Sequence, residues 1–173
     1  MITVSVTDCK TISQKIYDNV LSSLQFHQLS CSCGHSACLF RHAYYYRSVK
    51  TPAGKIRLRI CRLKCSVCGK THAVILSSLI PYSQITLGDQ LSVIRADLTD
   101  GKFISVMENN PEIDENDIRH IIKRYLKHWK QRLLSEDIPL FPESCLIKRC
   151  FFSFLRQFMQ IRNVPNLLFL LPT

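Results

Sequence analysis

The chain has 173 residues, 46% of them hydrophobic, and a formal net charge of +10 at pH 7. That length allows one domain of ordinary size or two small ones, and the apolar content excludes a globally disordered chain. No apolar run follows a basic start at the N-terminus, so a signal peptide is not expected; a reducing, cytoplasmic setting then favours metal ligation over disulfides for the nine cysteines.

Residues 1–30 open on a short alternating run, Ile2, Val4 and Val6, and continue into a helix expected from Ile12 to Leu24. Ile12, Ile16, Val20, Leu21 and Leu24 fall on one face of it.

Residues 31–80 carry two cysteine clusters. Cys31, Cys33 and Cys38 lie in CSCGHSAC, and Cys65 and Cys68 in CSVCGK. Between them, His42 to Val49 reads as a strand, Thr-Pro-Ala-Gly at 51–54 as a turn, and Lys55 to Lys64 as a second strand. A third strand is expected over His72 to Leu76. A hairpin of this kind brings the two clusters together. Thiolates close in sequence on a glycine-ended turn reach one tetrahedral ion, which is the logic of a structural zinc ribbon. A sheet this small gains much of its folding energy from the metal.

Cys65 and Cys68, followed by Gly69, form a regular knuckle. The first cluster is irregular: Cys33 precedes Gly34, but its companion is either Cys31 or Cys38, and spacing alone does not choose. A one-residue gap makes an awkward chelate, which leans toward Cys38, and His35 is a further option. Cys61 reads as a packed thiol, Cys9, Cys145 and Cys150 as isolated buried thiols, and His42 and His72 as structural histidines. Four cysteines close a zinc site, and residues 31–80 contain no carboxylate to act as a base. With no His-Glu-x-x-His, phosphate loop or nucleophile elbow either, an enzyme is not expected.

Residues 81–136 read as helical. Pro81 to Gln84 leaves the ribbon, and a helix is expected over Leu87 to Leu98, broken at Asp100-Gly101. A short helix over Lys102 to Glu108 stops at Asn109-Asn110-Pro111, and a longer one runs from Glu115 to Leu134 with Asp114 as its N-cap. A short helix, a turn and a longer basic helix make a helix-turn-helix pattern. Residues 137–173 end in an apolar run, Cys150 to Leu171, expected as a C-terminal packing helix. Its polar and proline interruptions keep it from spanning a membrane. The fold class expected is α+β.

Charge is unevenly placed. Residues 31–80 hold nine Lys/Arg and no acid, residues 81–117 two basic and eight acidic residues, and residues 118–134 six basic residues and no acid. Each basic block suits phosphate. On the hairpin the contacts expected are Arg47, Arg57, Arg59, Arg62 and Lys64, beside Tyr44, Tyr45 and Tyr46, which serve equally as stackers or as core. On the long helix they are Arg119, Lys123, Lys127 and Lys130, about one per turn.

The segments CSCGHSAC, HAYYYRSVKTP, RICRLKCSVCGKTHAV and LIPYSQ, with the later ENNPEIDENDIRHIIKRYLKHWKQRLLSE, together resemble a bacterial family with a domain of unknown function. That family carries a transposase-type zinc ribbon followed by a helix-turn-helix and is associated with insertion sequences. The resemblance implies a zinc-dependent protein that binds double-stranded DNA, with Cys33, Cys65 and Cys68 at ligand positions. It also implies the recognition half of a transposase, the chain stopping where a nuclease domain would begin, and a nucleoid location when bound. The competing expectations are a zinc-ribbon module that binds a protein partner or its own copy, and a single-strand or RNA binder using the tyrosines.

Overall fold

The computed structural model describes residues 1–4, 6, 11–99, 101–129, 160–164 and 167–171. They form a mixed α+β structure with a four-stranded sheet and four helices. The strands are β1 (Ile2–Val4), β2 (Leu39–Thr51), β3 (Gly54–Cys65) and β4 (Thr71–Leu76), in the order β2-β3-β4-β1. β1 is parallel to β4, with Ile2, Thr3 and Val4 opposite Val74, Ile75 and Leu76. Two tail strands, β5 (Gln160–Val164) and β6 (Leu167–Leu171), extend the sheet beyond β1 as an antiparallel pair.

The expected C-terminal packing helix is therefore corrected: the described part of the tail is strand. Proline has no N–H to donate and is disfavoured inside a helix, so the Pro165 of this sequence argues against a helical run. The five-residue run Leu167–Leu171 pairs instead along β1, whose N–H and C=O groups on that side would otherwise lack partners.

The chain divides into two compact units, Met1–Ser48, Arg57–Ser78 and Arg156–Thr173 in one, and Val49–Ile56 and Leu79–Leu155 in the other. In the first unit, helix α1 (Gln14–Ser23) starts at Ser13, whose hydroxyl accepts from the Ile16 N–H at 3.3 Å. It buries Tyr17 and Leu21. The tip of the long β2–β3 hairpin, over Val49–Ile56, belongs to the second unit; it turns at Pro52 and at Gly54, which has φ +111°, and the Thr51 hydroxyl donates to the Gly54 carbonyl at 2.7 Å.

Along β3 the alternation is clean at first, with Leu58 and Ile60 buried and Arg57 and Arg59 exposed. It slips by one residue at Ile60–Cys61, both of which are buried, and resumes with Arg62 out and Leu63 in. The slip coincides with an insertion from α1. The Tyr17 hydroxyl accepts from the Cys61 N–H at 2.8 Å and donates to the Val74 carbonyl at 2.9 Å. One side chain thus satisfies a backbone group on each of β3 and β4. The β3–β4 ladder itself begins only beyond this point, at Arg62 opposite Ala73.

The second unit holds α2 (Leu87–Thr99), α3 (Ile104–Asn109) and α4 (Glu115–Arg124), which continues as a π-helical turn over Tyr125–Trp129. Ile80, Leu91, Ile94, Val106, Ile113, Ile118, Ile121 and Tyr125 pack together as its core. Thr86 caps α2, its hydroxyl accepting from the Asp89 N–H at 3.1 Å. Asp114 and Asp117 form a reciprocal capping box on α4. The expected continuation of that helix over residues 130–134 lies outside the described residues.

Candidate metal centre and basic surfaces

Two turns and a histidine build the cysteine site. After Ser30, bridged to Ser36, the chain folds back so that the Cys31 N–H donates to the His35 carbonyl at 2.8 Å and the Gly34 N–H to the Cys31 carbonyl at 3.0 Å. Gly34 takes φ +90°, a conformation that side-chain-bearing residues disfavour. The tight reversal sets both Cys31 and Cys33 toward one point, which a straight C-x-C segment would not do.

The second turn leaves β3. The Cys65 N–H donates to the Lys70 carbonyl at 2.9 Å and the Gly69 N–H to the Cys65 carbonyl at 3.1 Å, with Gly69 at φ +72°. The two turns are tied to each other by the Ser66 N–H, which donates to the Cys38 carbonyl at 2.8 Å.

The sulfurs of Cys31, Cys33, Cys65 and Cys68 all lie within 4.8 Å of one another. Cys31 is 3.5 Å from Cys68 and Cys33 is 3.8 Å from Cys65. These separations are far beyond a disulfide bond, and the thiols are free. Such a quartet can hold a metal ion.

The fourth member of the quartet is thus Cys31, and the lean toward Cys38 is corrected. Cys38 stands directly behind the site, its Sγ 3.4 Å from that of Cys65 and donating to the His35 carbonyl at 3.2 Å. Burial raises the Cys38 pKa, which keeps its proton in place. His35 approaches Cys33 at 3.5 Å. His72, buried on β4, places Nε2 3.2 Å from the Cys31 sulfur. It is a structural histidine that also touches the site, and sequence separation hides that contact.

The electrostatics of the quartet suit a cation. The Cys68 N–H, donating to the Cys65 sulfur at 3.4 Å, is the largest influence holding the Cys65 pKa down to about 6. At Cys68 the Lys70 N–H lowers the pKa, but burial and the Cys31, Cys33 and Cys65 sulfurs raise it to about 12. Four thiols this close cannot all ionise on their own, whereas a bound cation removes that repulsion and releases their protons.

The basic residues fall into two sets, one in each unit. On the hairpin, Arg57 lies over the Tyr46 ring at 4.4 Å, Arg59 over Tyr44 at 4.7 Å and Arg62 over Tyr45 at 4.7 Å. Tyr44 and Tyr46 are 43% and 60% exposed, so they support arginines on the surface and do not fill a core. Arg41 sits likewise over Phe26 at 5.1 Å. Arg47 is half-buried, and its burial lowers its pKa. Lys64 is half-buried opposite Thr71.

On α4, Arg119 is exposed and donates to Asn116 at 3.4 Å. Lys123 and Lys127 line a cleft of the second unit together with Lys50, Lys55 and Arg124. Lys130 lies outside the described residues, as do Cys9, Cys145 and Cys150. A scan of protein-family models and searches of curated proteins and solved structures find no match to this chain.

Proposed function

We propose that this protein is a zinc-dependent DNA-binding protein of the transposon-associated type, built on a zinc ribbon with a helix-turn-helix region behind it. A tetrahedron of sulfurs about 2.3 Å from zinc has edges of about 3.8 Å. The 3.5 and 3.8 Å separations among the cysteines match that size. Four thiolates fill all four positions of such an ion, so its role is structural, holding the base of the hairpin closed.

The observation that carries the reading is the row of arginines held over tyrosine faces on that same hairpin. An arginine lying on an aromatic ring is extended and pre-oriented, with its guanidinium edge free to fork toward phosphate or a guanine edge. Residues 31–80 supply no carboxylate to neutralise the row. The α3–α4 pair, with a capped and basic second helix, supports the helix-turn-helix assignment. The resemblance of the cysteine and tyrosine segments to a transposase-type ribbon supports the biological class.

Fluorescence anisotropy of the zinc-loaded protein on labelled random duplex, across a salt series, tests this. Binding should fall steeply with salt. Replacing Arg57 and Arg59 with Ala should flatten the log–log salt slope by about 2. Duplex binding that is absent at low salt, from a folded and zinc-loaded protein, sinks the proposal.

A further inference from the structure

The second unit carries a feature that duplex binding by the hairpin does not use. Residues 79–86 form a small loop closed by the bridge between Leu79 and Thr86. Within it the Ser83 N–H donates to the Ile80 carbonyl at 3.2 Å, making a turn with Pro81 and Tyr82 at its centre. Tyr82 takes φ +60°. A turn with proline first and a positive φ second asks for glycine at the second place. Here it has a tyrosine that is 97% exposed.

A side chain that buries nothing does not repay that strained backbone within the fold, and such outliers collect at functional sites. The turn is also held firmly. Gln90, itself buried to 1% exposure, donates to the Ser83 hydroxyl at 2.8 Å and to the Ile85 carbonyl at 3.2 Å. The Ser83 hydroxyl accepts in addition from the Ile85 N–H at 3.1 Å.

Tyr82 stands at a cleft of about 680 Å³, within the size range of small-ligand pockets. Lys50, Lys55, Lys123, Arg124 and Lys127 line it, and Asp117 is the one carboxylate among the lining residues. Asp117 and Asp114 pair with Lys50. Among the described residues, the other four cations have no carboxylate within ion-pairing distance. An exposed aromatic ring on a fixed turn, beside four uncompensated cations, offers a face for a base and charge for its phosphates. A duplex cannot use that ring, because its bases are already stacked on one another.

We propose that this cleft binds single-stranded nucleic acid, with an unpaired base stacked on Tyr82 and the flanking phosphates on Lys55, Lys123, Arg124 and Lys127. The site is separate from the hairpin arginines and does not require the duplex reading to hold.

The test is anisotropy of the full, zinc-loaded chain on labelled oligo-dT and oligo-rU, with unlabelled duplex and inorganic phosphate as competitors. Tyr82→Ala should weaken oligo-dT binding at least about fivefold, and Tyr82→Phe should restore it, because a stacked base is sensitive to loss of the ring and not of the hydroxyl. Lys123→Ala with Lys127→Ala should flatten the single-strand salt slope by about 1.4. Duplex affinity should not change with Tyr82→Ala, which separates this site from the hairpin; absence of duplex binding would sink only the earlier proposal.

Equal oligo-dT affinity for Tyr82→Ala and the unaltered protein overturns the inference. So does displacement of the oligonucleotide by inorganic phosphate at equal charge concentration, which would mark a simple anion site. A preference of rU over dT assigns the strand to RNA within the same proposal. Thermal unfolding of each variant checks that the exposed position leaves the fold intact.

Discussion

Tyr17 ties helix α1 to two strands of the first unit. Its hydroxyl serves the Cys61 N–H and the Val74 carbonyl in a buried place, where neither has water to turn to. Burial pushes its own pKa well above the usual phenol range, so it stays a neutral donor. Tyr17→Phe keeps the ring and deletes the bridge, leaving two buried backbone groups unpaired. We expect a loss of about 3 kcal/mol, from about 1–3 kcal/mol for each such group, read as a lower urea midpoint at unchanged m. The helix around Tyr17 was legible from Ile16, Val20 and Leu21, but the hydroxyl's role was not, because its partners lie 44 and 57 residues away in sequence. The same limit applies to Cys31. Spacing weighs a C-x-C pair as if the segment were extended, and only the reversal at Gly34 makes Cys31 a partner for Cys68.

At the scale of elements, what local chemistry determines was readable. Asp114 was recognisable as a cap, Gly101 and Asn110-Pro111 as breaks, and Pro52 to Gly54 as a hairpin turn, because each acts through neighbours in sequence. The C-terminal strands were not readable, since an apolar run suits a helix or a strand until it is known which edge is waiting for it. The start of α4 also carries a pH dependence. The Asp117 N–H, first, and then Lys50 hold the Asp114 carboxyl below its ordinary value of 3.8. Burial works against the Lys50 charge, but Asp117 and then Asp114 raise its pKa above 10.5. A lowered carboxyl pKa gives stability that is present above 3.8 and lost as pH falls through it. A raised lysine pKa gives stability that is present below 10.5 and lost as pH climbs past it. The helices of the second unit should therefore hold a plateau of thermal stability between those limits. Lys50→Met should lower the plateau and soften its alkaline edge, as followed by circular dichroism across pH.

For the molecule as a whole, the division into two units predicts a divided response to metal. The quartet lies entirely in the first unit, whereas α2, α3 and α4 lie in the second with a core of their own. If the quartet holds a metal, its chelation, or Cys65→Ser, should unfold the first unit, while most of the far-UV helical signal survives. Loss of all structure in one step would contradict the independence of the two cores. Cobalt substitution gives the matching readout, since a tetrahedral thiolate site colours the protein and the Cys65→Ser variant should not take that colour. The position of β1 has a consequence in time. It precedes both of its partners along the chain, and it lies inside the sheet, with β4 on one side and β6 on the other. Its partners begin at Val74 and at Phe169, so it must wait until β6 has been made before both of its sides are paired. A nascent chain halted before β6 would carry an open strand edge next to an apolar core, which invites intermolecular pairing. Arrest of translation between β4 and β6 should therefore yield aggregates, and synthesis of β6 should suppress them.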